Sequence, residues 1–166
     1  MLKKIISGGQ TGIDQFGLYV ARENGIMTGG TAPYRYKTET GSNYELKSVY
    51  YLTEASYRDK VYFENLTGRY DAYTPRTYCN ARDSDGTVYF STDTDSPGLK
   101  TTRRACGLYD KPFILNPDYE KLVKFIKDNN IEVLNVAGNR ESKLKQSDKK
   151  KFEEILDRVC KHFKET

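Results

Sequence analysis

The sequence predicts an α/β chain with an open, mostly parallel sheet and helices on both faces. Three observations carry that prediction. Short apolar runs alternate with amphipathic stretches at helical spacing. The links between runs are long enough for the crossovers that parallel strands need. The first run is followed at once by a glycine-rich turn and a helix start.

In chain order, Leu2–Ser7 is a predicted strand. Ile13–Glu23 is a helix with Phe16, Gly17 and Val20 on one face and Gly25 as its stop. A polar Gly-, Thr- and Tyr-rich region runs from Gly29 to Pro75. Val61–Leu66 and Arg69–Thr74, flanking Thr67-Gly68, predict a Tyr-rich hairpin inserted at about 57–74. That hairpin could be an edge covering the core or a flap whose rings stack on a planar ligand. Arg76–Arg82 is a short helix, Thr87–Ser91 a strand, Lys100–Gly107 a helix and Pro112–Leu115 a strand. Asp118–Asn129 is a helix and Glu132–Val136 a strand. Ser147–Lys164 is a last helix with Phe152, Ile155, Leu156, Val159 and Phe163 on one face. No repeat or linker divides the chain, so 1–166 reads as one domain.

Composition narrows the function classes. The chain has 166 residues with 37% hydrophobic and 30% charged, as expected of a globular fold with a real core. No apolar run approaches the roughly 20 residues of a membrane span, and the N-terminus reads as a strand rather than a leader. A cytoplasm, of a cell or of an infected host, is the expected location. The net charge of +4 would draw in a small anion but falls short of a nucleic-acid footprint. The Lys143–Lys151 segment reads as a solvated helix start. Cys79, Cys106 and Cys160 lie far apart with no C-x-x-C pair, which argues against disulfides and zinc. The one histidine, His162, lies near the C-terminus, away from any nucleophile it would activate. No metal site is expected.

In a parallel sheet, ligands bind beyond the carboxyl ends of the strands. Three polar glycine-containing loops fall on that edge: Gly8-Gly9-Gln10-Thr11-Gly12, Thr92–Gly98 with Ser96, and Gly138–Ser142 with Arg140. Arg76, Thr77 and Asn80 open a helix on the same edge. The first loop lacks the Gly-Lys-Ser/Thr ending of a Walker loop and does not spell G-x-G-x-x-G. Backbone N–H groups of Gly9–Gly12 and Gly98, with Gln10, Thr11, Thr102 and Arg140, are the candidates to hold phosphate. Arg76, Lys100, Arg103 and Arg140 could balance ligand charge or lie on the surface. Asp14 could serve as an acid or base or simply favour its helix dipole. Glu141 could act on a substrate or pair within its loop. Asp83-Ser84-Asp85-Gly86 reads as a structural turn rather than a metal pair.

Several stretches together resemble the family of Putative molybdenum carrier proteins. They are Ile6–Asp14, Gly29-Gly30-Thr31-Ala32-Pro33, Arg76-Thr77 with Asn80 and Asp83–Thr87, Ser96-Pro97-Gly98 with Thr102, and Leu134–Gly138 with Arg140-Glu141-Ser142. The resemblance runs in order from about residue 3 to 160. It implies a Rossmann-like fold of the wider SLOG group, which includes LOG-type nucleotide phosphoribohydrolases and DprA-type DNA-processing proteins. It also implies a planar-ring ligand bearing phosphate, either molybdopterin or a nucleotide-derived molecule such as an ADP-ribose conjugate. Pairing into homo-oligomers is common in that group.

The chain departs from the pattern at Leu99, where many relatives have Thr, and at Thr31-Ala32, where a bulky residue and Cys are usual. The Tyr57–Tyr73 segment is also longer. LOG-type enzymes carry a catalytic Glu in the loop that here runs Pro97–Arg103 without an acid. The expected function is therefore to bind or sequester the ligand. The alternative is a nucleotide N-glycosidase or phosphohydrolase using Asp14 or Glu141.

Overall fold

Five parallel strands set the frame of the computed structural model, which describes residues 1–164. They are β1 (Lys4–Ile6), β2 (Met27–Gly29), β7 (Gly86–Phe90), β8 (Phe113–Leu115) and β9 (Val133–Gly138), in the order β2-β1-β9-β7-β8. Lys4 faces both Met27 and Val133, and Gly86 faces Leu134. The strand latest in the chain thus lies at the middle of the sheet. If β9 and the helix after it stood ahead of β1, the order would become the 3-2-1-4-5 of a mononucleotide-binding sheet. The chain carries that arrangement with one βα unit moved from front to back.

Helices cover both faces. On one lie α1 (Ile13–Glu23), α6 (Tyr119–Asp128) and α7 (Gln146–Lys164). Their buried side chains join Ile5, Val88, Phe90, Leu134 and Val136 in the largest core. On the other lie α3 (Tyr57–Thr67), α4 (Thr74–Asp83) and α5 (Pro97–Leu108), whose Phe63, Tyr78, Cys79, Ala105 and Cys106 form a second core. The alternation along β7 and β9 sends Val88, Phe90, Leu134 and Val136 one way. The three cysteines are buried thiols. No helix among the described residues is long and apolar enough to cross a membrane.

The predicted hairpin at 57–74 is not formed. Residues 57–67 are the helix α3 instead. Ser56 Oγ accepts the N–H of Asp59 at 3.0 Å to cap it, and Gly68 ends it at φ 69° in the left-handed region. The Thr67-Gly68 pair that suits a hairpin turn is a helix stop, and Asp71 braces the start of the next helix. Its carboxylate takes the N–H groups of Tyr73 and Thr74 and the Thr74 hydroxyl.

The polar region before α3 holds β3 (Thr31–Ala32), β4 (Lys37–Thr38), β5 (Gly41–Ser42), α2 (Glu45–Ser48) and β6 (Thr53–Glu54). β3 pairs with β6 and β4 with β5. Leu18, Ala32, Tyr36, Leu46 and Leu52 form a third core beneath them.

Asn80, 2% exposed, ties this region to α4. Its Oδ1 accepts the Thr31 N–H at 2.8 Å and its Nδ2 donates to the Thr31 carbonyl at 3.0 Å. The side chain imitates a neighbouring strand. Truncation would leave two buried backbone groups unpaired. Asn80→Ala is expected to cost about 2 kcal/mol, read as a lower urea midpoint with an unchanged slope. The predicted turn at Asp83–Gly86 forms as a structural one. The Asp85 carboxylate takes the N–H groups of Glu132 and Val133 at 3.0 and 2.8 Å.

Candidate functional site

The chain leaves β1 toward β2 on one side and β7 toward β8 on the other. Between those departures, over the end of β9, lies a cavity of about 510 Å³. That is the place where α/β sheets hold ligands, and the size is that of a small-molecule site. Gln10, Asp14, Arg76, Thr77, Ser96, Gly98, Thr102 and Arg140 line it, as the sequence places them. Gly8, Gly9, Thr11, Gly12, Asn80 and Glu141 lie behind the lining. Glu141 pairs with Lys149 at 2.7 Å.

The first loop is built differently from a phosphate cradle. The N–H of Gly9 donates to Ser7 Oγ, that of Gln10 to Asp14 Oδ2, and that of Thr11 to Gln10 Oε1, at 3.0–3.2 Å. Three of the backbone donors expected to hold phosphate are therefore spent inside the loop. Its glycines serve close approach. A Cβ on Gly8 would lie 2.6 Å from Arg76 Cδ, and one on Gly12 would lie 2.5 Å from the Asn139 carbonyl oxygen. Gly12 also sits at φ 83°, ψ −127°, a conformation left to glycine. The loop is a platform that lets Arg76 and the β9 loop lie against it.

The ligand-facing donors come from elsewhere. Arg76, in the first turn of α4, packs over Gly8 and 5.5 Å from the Tyr73 ring. Its Nη1 donates to Thr77 Oγ1 at 2.9 Å, and its Nε is buried with no partner among the described residues. Arg69, Arg140 and Lys143 add three more cations to the cavity wall. Ser96 caps α5 by accepting the Leu99 N–H at 3.2 Å. The Gly98 N–H follows in the first turn, where no i−4 carbonyl exists to receive it.

Asp14 is the one carboxylate buried at the floor among the described residues, 3% exposed. Burial raises its pKa from 3.8 to about 6, although Arg76 and the N–H groups of Gln10 and Gly138 pull the other way. Beside it, burial pushes the Tyr89 phenol up to about 12. Its hydroxyl is a neutral donor at ordinary pH.

Sequence reasoning missed Glu39. It stands in the β4–β5 turn and fastens the first loop to the third. Its carboxylate accepts from Thr11 Oγ1, from the Ser142 N–H and from the Ser142 hydroxyl, and Arg140 Nε lies 3.7 Å away. Its own N–H donates to Gln10 Oε1 at 2.9 Å. Burial works against the charged form, but the bonds from Ser142 and Thr11 win and hold its pKa below the usual range. Arg69, Asp71, Tyr89, Thr101 and Lys143 also line the cavity without having been expected there. Of the tyrosines expected to cap a ring, Tyr73 reaches it. Phe63 is core and Tyr62 faces solvent.

Comparison with known proteins agrees with this topology. A crystal structure of the Putative molybdenum carrier protein from Syntrophus aciditrophicus SB matches with a TM-score of 0.73 at 29% identity, over 96% of this chain and 94% of that one. Among curated proteins none matches. The model of the Circularly permutated YpsA SLOG family matches residues 5–160. The permuted strand order and that match together place the chain in one family: it belongs to the circularly permutated YpsA SLOG family.

Proposed function

We propose that the crevice binds and sequesters a small molecule that joins a planar ring to phosphate, of nucleotide or pterin type. One observation carries this reading: the Arg76 guanidinium lies at the switch point with a buried Nε that no group among the described residues meets. A buried, unpaired cationic donor is costly, and an anionic ligand oxygen is what would satisfy it. Arg69, Arg140 and Lys143 supply further positive charge, and the Gly98 N–H supplies a backbone donor. The Tyr73 ring, already beside Arg76, offers a face to a planar group. The similarity to a Putative molybdenum carrier protein and the SLOG family support a small-molecule ligand.

Calorimetric titration with AMP, ADP, ADP-ribose and molybdopterin tests the proposal. At least one is expected to bind below millimolar. Arg76→Gln is expected to weaken that binding at least tenfold, since a charge-assisted bond contributes about 1.5–3 kcal/mol. Millimolar or weaker binding of all four would sink the reading.

Asp14 favours a second reading. A carboxyl with pKa about 6 in a ligand cavity is suited to proton transfer near neutrality. Glycosidic or phosphate-ester hydrolysis would then use Asp14 as acid or base, since Glu141 is turned to Lys149. Release of base or phosphate that stops in Asp14→Asn, with binding retained, would establish the enzyme. Recovery of intact ligand after long incubation would establish the binder.

A further inference from the structure

The central crevice does not end at its own wall. A second cavity of about 450 Å³ lies beside it, between α3 and α5. Arg69 and Thr101 line both cavities. Arg69 Nη1 donates to Thr101 Oγ1 at 2.7 Å, and Thr101 Oγ1 in turn donates to the Pro97 carbonyl at 3.0 Å. The partition is thus one exposed arginine side chain lying across a buried threonine. Such a bar can swing without disturbing either helix.

The second cavity has a distinct chemistry. Its remaining walls are Leu66, Thr67, Tyr78, Arg104 and Leu108. Among the described residues it contains two arginines and no carboxylate. Arg104 has no hydrogen bond or ion pair among the described residues. Leu66 and Leu108, each about half exposed, flank the groove, and Tyr78 forms part of its floor. Exposed leucines around an aromatic floor favour a ring or other apolar group. The unpaired Arg104 guanidinium, with Arg69 at the rim, favours an anion.

We propose that the ligand is two-lobed: a dinucleotide-class molecule with one ring-bearing half in the central crevice and the other on Leu66, Tyr78 and Leu108. Its bridging phosphates would lie where Arg69 now bonds Thr101. This inference rests on the phosphate-binding reading of the central crevice and specifies its ligand. The longer segment from Tyr57 onward acquires a purpose under it, since α3 and Arg69 form one side of the second lobe.

The test compares ADP with di(adenosine-5′) diphosphate by calorimetry at fixed ionic strength. The dinucleotide is expected to bind at least tenfold tighter than ADP. Arg104→Gln and Leu108→Glu change only the second cavity and lie at exposed positions on α5. Each is expected to remove that advantage while leaving the ADP affinity and the thermal midpoint unchanged. ADP binding with no gain for the dinucleotide would overturn this inference alone. A gain that both variants retain would also overturn it. Failure of both nucleotides to bind below millimolar would remove the reading of the central crevice for nucleotides, and this one with it.

Discussion

Gly12→Ala is expected to destabilise the fold by about 3–5 kcal/mol, through backbone strain and overpacking together. The added Cβ would meet the Asn139 carbonyl oxygen at 2.5 Å and the Glu141 nitrogen at 2.8 Å. Both are backbone atoms that cannot rotate away. The residue would also have to hold φ 83° and ψ −127°. The separation matters because Asn139 fastens the third loop to the second. Its Oδ1 accepts from Ser91 Oγ and the Thr92 N–H, and its carbonyl accepts from Ile13 at 3.3 Å. Pushing Asn139 outward opens the crevice at its floor. Gly68→Ala is the control, with φ 69° and nothing within 4 Å of the added methyl. It should cost about 1 kcal/mol. Equal urea midpoints for the two variants would show that close packing of the two loops contributes nothing.

Asp14→Asn is expected to have an effect whose sign depends on pH. The folded chain holds the carboxyl near 6 against 3.8 for the free group, because burial outweighs Arg76 and the two N–H donors. An acid whose pKa is raised on folding penalises the folded state when it ionises. The penalty is nearly absent at and below pH 4, grows between 4 and 6, and is complete above 6. A shift of roughly two units corresponds to about 3 kcal/mol. The amide removes that penalty but loses about 1 kcal/mol, because it presents an NH₂ where one backbone N–H now finds an oxygen. Asp14→Asn should therefore stabilise by about 2 kcal/mol at pH 8 and slightly destabilise at pH 4. Chemical denaturation at the two pH values measures it. A stability difference that does not change between them would mean that Asp14 is not held uncomfortably charged.

Much of the sheet was legible because its strands and helices carry their own signals. β7, β9 and α7 lie within a few residues of where periodicity puts them. β2 was not legible. Met-Thr-Gly is three residues at a sheet edge with no alternation to read. α3 was misread because Thr-Gly suits a hairpin turn as well as a helix stop. The deciding cue was Ser56 three residues ahead of Asp59, a local capping signal that the tyrosines obscured.

The crevice divides in the same way. Residues at strand ends, such as Gln10, Ser96 and Arg140, follow from topology. Glu39 and Asn80 act on partners far along the chain, 103 and 49 residues away. No local pattern marks such a pair. The glycines of the first loop were visible, but their purpose was not. Glycine allows both a bare N–H facing a ligand and a neighbour packed against the backbone, and here hydrogen bonds within the loop leave mainly the second.

The place of β9 has a consequence for how the molecule assembles. Until residues 133–138 leave the ribosome, β1 and β7 have no shared partner. Each presents an unpaired edge toward the gap, and Phe90 lacks the Phe152 ring it packs on until α7 follows. Completing the sheet means closing contacts between Lys4 and Val133 across most of the chain's length. Such long-range closure is slow and leaves edges open to other chains. Nascent chains halted before residue 133 should be protease-sensitive and prone to self-association, and protection should arrive in one step once the middle strand is in place.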